Sequence, residues 1–291
     1  MNFAIHKIGL AIAFSPTSEA MLAEAMRLTM VYQARLILIH AGDHGPKEDK
    51  LMDALIEKAG LPASFIKIRW ENGNPGDVIL KVCQQENIDL LIAGALRKEN
   101  LVQYYIGSIA RKIMRKADCS FLMITNPSTQ PLPYKNIVVN AEDSPYVEEA
   151  IFAACQLGLK DKSNWVHIVR EVKLYGLTMA ASDQRSEVEY NEVRHHLVQE
   201  EINTVEEFLQ KIPHDKLKVN IKMVSGKAGF ELSQFAKRKS ADLLIVGASQ
   251  RRFSLFDRVF PHDLEYIFAD LPCNLLVVHP DQQSGKEEHY E

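Results

Sequence analysis

The chain repeats itself, and the repeat constrains the fold more than any other feature. "KIGLAIAFSPTSEAM" at 7–21 aligns with "NIVVNAEDSPYVEEA" at 136–150, which sets Ser15-Pro16 on Ser144-Pro145 at an offset of 129. "LILIHAG" aligns with "NWVHIVR", with His40 on His167 at an offset of 127. "NGNPGDVILKVCQQENIDLLIAGA" aligns with "SGKAGFELSQFAKRKSADLLIVGA", with Gly94 on Gly247 at 153. "RKADCSFLMI" aligns with "FADLPCNLLVV", with Cys119 on Cys273 at 154. The offset steps from 127 to 153, so the second copy carries about 26 extra residues between Ile168 and Ser225.

Each copy has one grammar. An apolar strand ends at Ser-Pro, a helical pattern follows (Glu19–Gln33; Tyr146–Gly158), and a second strand ends near His40 or His167. A helix leads to a third strand (Phe65–Trp70; Leu217–Val224). Val78, Ile79, Val82 and Cys83 then recur at helical spacing, before the fourth strand "DLLIAG" or "DLLIVG". A last helix and a fifth strand (Phe121–Thr125; Leu275–His279) close the unit. Continuous apolar strands alternating with helices mean a parallel sheet covered on both faces. The expected fold is therefore α/β: two tandem, doubly wound, five-stranded parallel domains of Rossmann-like type. They span 1–128 and 133–282, with 283–291 as a tail and "PSTQPLP" as the linker. The extra residues, about 175–213, read as a loop and one long helix over a sheet edge, or as a lid. In that helix Val193, Leu197, Ile202, Val205 and Leu209 make one apolar stripe. The fifth strands would leave apolar sheet edges if unpaired, so the copies are expected to pair through them as a pseudo-dimer. A homodimer of whole chains is a further expectation.

Composition narrows the function classes. A net charge of −4 disfavours a dedicated nucleic-acid binder. Four widely spaced cysteines without a CxxC argue against a disulfide framework or a zinc site. No apolar run approaches the ~18 residues of a membrane span, and a cytoplasmic location is the expectation. Walker A, GxGxxG, HExxH and Gly-x-Ser-x-Gly motifs are missing, and no nucleophile–base–carboxylate set stands out.

Doubly wound sheets bind ligands beyond the carboxyl ends of their strands. In the first copy that edge gathers Ala13, Phe14 and Ser15 after strand one, Ala41 after strand two, Gly94 after strand four, and Gly107-Ser108-Ile109 opening the last helix. Glycine lets a ligand approach the backbone, and Ser108 either caps the helix or donates to a phosphate oxygen. Arg111, Lys112, Arg115 and Lys116 make a basic stripe, read as a solvated face or an anion patch. His40 and His167 read as satisfied buried histidines, Cys119 and Cys273 as packed thiols. His195 and His196 are adjacent and so point apart.

"AFSPTSEAM", "GNPGDVIL", "DLLIAG" and "GSIARKIMRKADCSFLMI" resemble, in order, the blocks of the universal stress protein family, and the two copies together cover nearly the whole chain. The resemblance implies an adenine-nucleotide alpha-hydrolase-like fold. Nucleotide-binding members carry Gly-x-x-Gly-x9-Gly-Ser/Thr, and this chain keeps Gly94, Gly107 and Ser108 at that spacing. Arg97 stands at the second glycine, where its side chain either fills the phosphate space or holds the phosphate. The family's Asp at the end of strand one is matched by Ala13 and Glu142. In the second copy Pro261-His262 replaces Gly-Ser and Gln250 the second glycine, so at most one nucleotide per chain is expected. The resemblance implies ATP or AMP, with Mg2+, as ligand of a stress-response or signalling module. A nucleotide-free module binding an unknown protein partner, and a weak nucleotide hydrolase, are the alternatives.

Overall fold

The structure is a computed structural model, described for residues 3–60, 65–97, 104–142, 146–171, 187–225, 228–248 and 262–279. The first copy runs β1 (Lys7–Ala11), α1 (Ser18–Tyr32), β2 (Arg35–Ala41), α2 (Pro46–Ala59), β3 (Ile66–Glu71), α3 (Pro75–Glu86), β4 (Leu90–Gly94), the short strands β5 (Leu96–Arg97) and β6 (Tyr104–Tyr105), α4 (Ser108–Lys116) and β7 (Ser120–Ile124). The second runs β8 (Asn136–Asn140), α5 (Val147–Asp161), β9 (Trp165–Glu171), α6 (Glu187–Gln210), β10 (Val219–Val224), α7 (Ala228–Arg238), β11 (Leu243–Gly247), α8 (His262–Ala269) and β12 (Asn274–Val278).

The large strands form one ten-stranded sheet, ordered β10-β9-β8-β11-β12-β7-β4-β1-β2-β3. Each half is parallel, and the halves meet where β12 pairs antiparallel with β7. The register there is Leu275 on Met123, Leu276 on Leu122 and Val277 on Phe121. Leu122 and Leu276 are equivalents, 154 apart, so each faces its own counterpart and a pseudo-twofold axis passes between them. The flanks repeat this symmetry: Thr125 N donates to Asn274 Oδ1 at 2.9 Å, and His279 N donates to Ser120 Oγ at 3.1 Å.

Alternation along the strands explains their uninterrupted hydrophobicity. Leu36 and Leu38 face α1 and α2, while Ile37 and Ile39 face α3 and α4. Both layers run across the axis: one core joins α1, α5 and α6, the other α3, α4, α7 and α8. Helix α6 stands between the second and third strands of its half, as α2 does in the first, and is longer; it follows its stripe, with Val205 and Leu209 buried and Val193, Leu197 and Ile202 half-buried. The loop expected before it, the Ser144-Pro145 turn and the tail lie outside the described residues.

The sheet's outer edge at β3 is guarded by charge. Lys67 Nζ meets Glu86 at 2.8 Å, Arg69 meets Glu71 at 2.7 Å, and Lys81 meets Glu71 at 2.9 Å. Such a row blunts an open edge against further strand addition.

Where α1 passes α5, a buried ion pair crosses between the halves. Arg27 Nη1 donates to both carboxylate oxygens of Asp161 at 2.9 Å. Tyr134 N donates to Asp161 Oδ2 at 2.8 Å, and the Tyr134 ring lies 4.5 Å beneath the guanidinium. Burial pushes the Tyr134 hydroxyl well above the ordinary phenol range, so it stays protonated.

Candidate functional site

The order β4-β1-β2 brings the carboxyl ends of three parallel strands side by side. Ala13 and Ser15 are exposed and Phe14 half-buried just past β1; Ala41 ends β2, opposite Glu71; Gly94 ends β4, exposed and paired with Ile124. After β1 the chain makes a hydroxyl-rich turn. Ser15 N donates to Ser18 Oγ at 2.7 Å, Ser15 Oγ lies 3.1 Å from Thr17 Oγ1, and the buried Ser18 hydroxyl bonds back to the Ala13 carbonyl.

Gly94 is not demanded by the protein's own packing. A Cβ there would meet Met21 Sδ at 3.5 Å, an ordinary contact. Gly107 is crowded instead: a Cβ there would come within 2.7 Å of Leu96 Cδ1. The sequence leaves Arg97 either filling the phosphate space or holding the phosphate; the side chain against Gly107 is Leu96. Arg97 lies exposed in β5, opposite Tyr104. Leu96 is itself 51% exposed.

Gly107, not Ser108, occupies the cap position of α4, with extended backbone (φ −71, ψ 170) and no side-chain cap. Ser108 is the first residue inside the helix. Its hydroxyl therefore does not stand at the cap, contrary to one of the two roles expected of it, and the glycine at the cap supplies no side-chain acceptor to the first turn. Ile109 is exposed near Gly76 at the start of α3.

The basic stripe of α4 is drawn into ion pairs. Lys112 meets Asp77 at 2.6 Å, and Arg111 pairs with Glu265 of the second half while its Nε donates to Ile106 O at 3.0 Å. This favours the reading of a solvated structural face.

An aromatic cluster at the β1–β3 ends is not evident in the sequence. His40 lies 4.8 Å from Phe14 and 5.1 Å from Trp70, and His44 stacks on Trp70 at 4.6 Å. His40 Nδ1 sits 3.1 Å from Ile12 O. The ending of strand three at Trp70 was the one signal that could have placed an aromatic here.

In the second half the equivalent of His40 is Arg170, not His167. Ile12 N donates to Ile39 O, and Ala141 N to Val169 O, which fixes the register. Arg170 Nη1 donates to Ala141 O at 2.9 Å, as His40 contacts Ile12 O, and Arg170 Nε pairs with Glu201 of α6. His167 lies deeper, T-shaped against Phe235 at 5.5 Å, with burial holding its pKa below the usual imidazole value. The end of β9 is thus covered by an ion pair to α6. Pro261, Gln250 and the nearby arginines lie outside the described residues.

Elsewhere the chemistry is sparse. His195 and His196 sit on the polar face of α6, His196 3.3 Å from Glu200. Among the described residues no group of three or more His, Cys, Asp or Glu side chains is placed to hold a metal ion. Among the described residues no helix is long and apolar enough to cross a membrane.

A family model described as the universal stress protein family matches residues 4–125 and, a second time, 133–279. Solved structures resemble the whole chain. A functionally unknown protein from Pseudomonas aeruginosa PAO1 superposes with TM-score 0.68 at 17% identity, covering 96% of this chain and 94% of its own. A universal stress protein from Archaeoglobus fulgidus DSM 4304 gives TM-score 0.62 at 16% identity, covering 94% and 98%.

Proposed function

The chain belongs to the universal stress protein family in both halves, and on that premise we propose that it is a stress-response or signalling module that binds ATP or AMP in its first half only. The observation that carries this reading is the convergence of Gly94 and the uncapped start of α4 at Gly107-Ser108 on the carboxyl edge of the sheet. Open first-turn amides favour an anion there. Ala13–Ser15 and Ala41 would flank the base and sugar, and no role is given to a metal.

Denaturing the purified protein and chromatographing the supernatant should release adenine nucleotide, at most one per chain. Gly107→Val should abolish ATP binding in calorimetry, because a branched side chain at the cap fills the approach to the amides. Unchanged affinity in that variant would refute the site, and two nucleotides per chain would refute the asymmetry. A nucleotide-free interaction module is the second reading, and Leu96 resting on Gly107 favours it. Wild-type protein that binds neither nucleotide at millimolar concentration decides for it.

A further inference from the structure

The approach to Gly107 in the first half is built partly by the second half. Two backbone hydrogen bonds cross between them: Ile106 N donates to Phe268 O at 3.0 Å, and Leu271 N donates to Tyr104 O at 2.9 Å. Tyr104 and Leu271 form an antiparallel bridge, so the segment before the candidate cradle is clasped by the end of α8 and the turn into β12. Ile106, Phe268 and Leu271 are all buried, which shields these bonds from water. Arg111, one turn into α4, adds its ion pair to Glu265 of α8 and hands its Nε to the Ile106 carbonyl. The segment Tyr104–Ile106 therefore touches the second half on one side and leads directly into Gly107 on the other.

We propose that the second half acts as a positioning element for the first half's nucleotide site: anion binding at Gly107-Ser108 and the clasp on Tyr104–Ile106 stabilise one another. The proposal rests on the reading of that site given above. A ligand ordering Gly107 restricts Ile106, and Ile106 is held by Phe268. Linkage is reciprocal, so what tightens the clasp must also tighten the site.

Hydrogen exchange on the wild-type full chain, with and without ATP, tests this through an observable other than turnover. Saturating ATP should slow exchange of the Ile106 amide and also of the Leu271 amide, in the other half, by about fivefold or more. Amides of β10, on the far edge of the second half, should keep their rates. Protection confined to the first half would overturn the coupling and leave the site reading intact. Equal slowing of β10 would mean uniform stabilisation and would also overturn the coupling. A chain that binds no ATP would overturn the site reading, and the coupling with it.

Discussion

A lysine in place of Met123 should part the two halves. Met123 is fully buried where β7 meets β12, with Leu275 across from it. An ammonium there has no carboxylate among its strand neighbours and would be desolvated or neutralised. The expected loss is about 4 kcal/mol or more, in the range reserved for unpaired buried charge. The two tryptophans report on separate halves, Trp70 in β3 and Trp165 in β9. Urea titrations of the Trp70→Phe and Trp165→Phe backgrounds should coincide in the parent and separate with Met123→Lys. Leu132→Lys, at a position 79% exposed in the linker, is the control and should change stability by less than about 0.5 kcal/mol. Coincident, unshifted transitions in Met123→Lys would contradict the shared sheet.

Asp161→Ala should cost about 3–5 kcal/mol, because removing one partner leaves Arg27 charged and buried. The side chains of Arg27 and Asp161 are only 9% and 2% exposed. The substitution also leaves Tyr134 N without its acceptor. Replacing the pair together, as Arg27→Met with Asp161→Leu, should recover most of the loss, since apolar groups of similar volume can replace a buried pair at little cost. A double variant as unstable as Asp161→Ala alone would place the cost in packing rather than in the orphaned charge. Equilibrium denaturation of the parent and the two variants separates these outcomes.

Much of the architecture was legible because both faces of the sheet are covered. Strands such as "RLILIHA" and "LLIAG" must then be apolar throughout, and such runs stand out against amphipathic helices. The pairing of β7 with β12 followed from the same apolarity at a sheet edge. Register was harder to read. A histidine in each second strand drew His40 onto His167, three residues from the Arg170 that the backbone bonds identify. Identity of residue type misled where a function, contact with the carbonyl closing the first strand, was kept by a different side chain. The strands β5 and β6 are two residues each, too short for any periodicity, so the placing of Leu96 rather than Arg97 on Gly107 had no local signal. Phe14, His40, His44 and Trp70 meet only because three strands align in parallel. Nothing in their spacing along the chain says so.

The pairing of residues with their own equivalents has an evolutionary consequence. In a symmetric homodimer every substitution enters an interface twice, and an arginine on the axis confronts its own image. Arg111 and Glu265 are such equivalents, 154 apart, yet they form an ion pair. With both copies in one chain, a single copy can carry the opposite sign to its equivalent. The same freedom is visible away from the axis, where the Asp77–Lys112 ion pair between α3 and α4 has become the Phe230–Tyr266 ring contact, 5.8 Å between centroids, between α7 and α8. The tether also holds the halves at an effective concentration in the millimolar range, as short linkers do. Selection on the shared interface is relaxed by that amount, and each half can diverge without losing its twin.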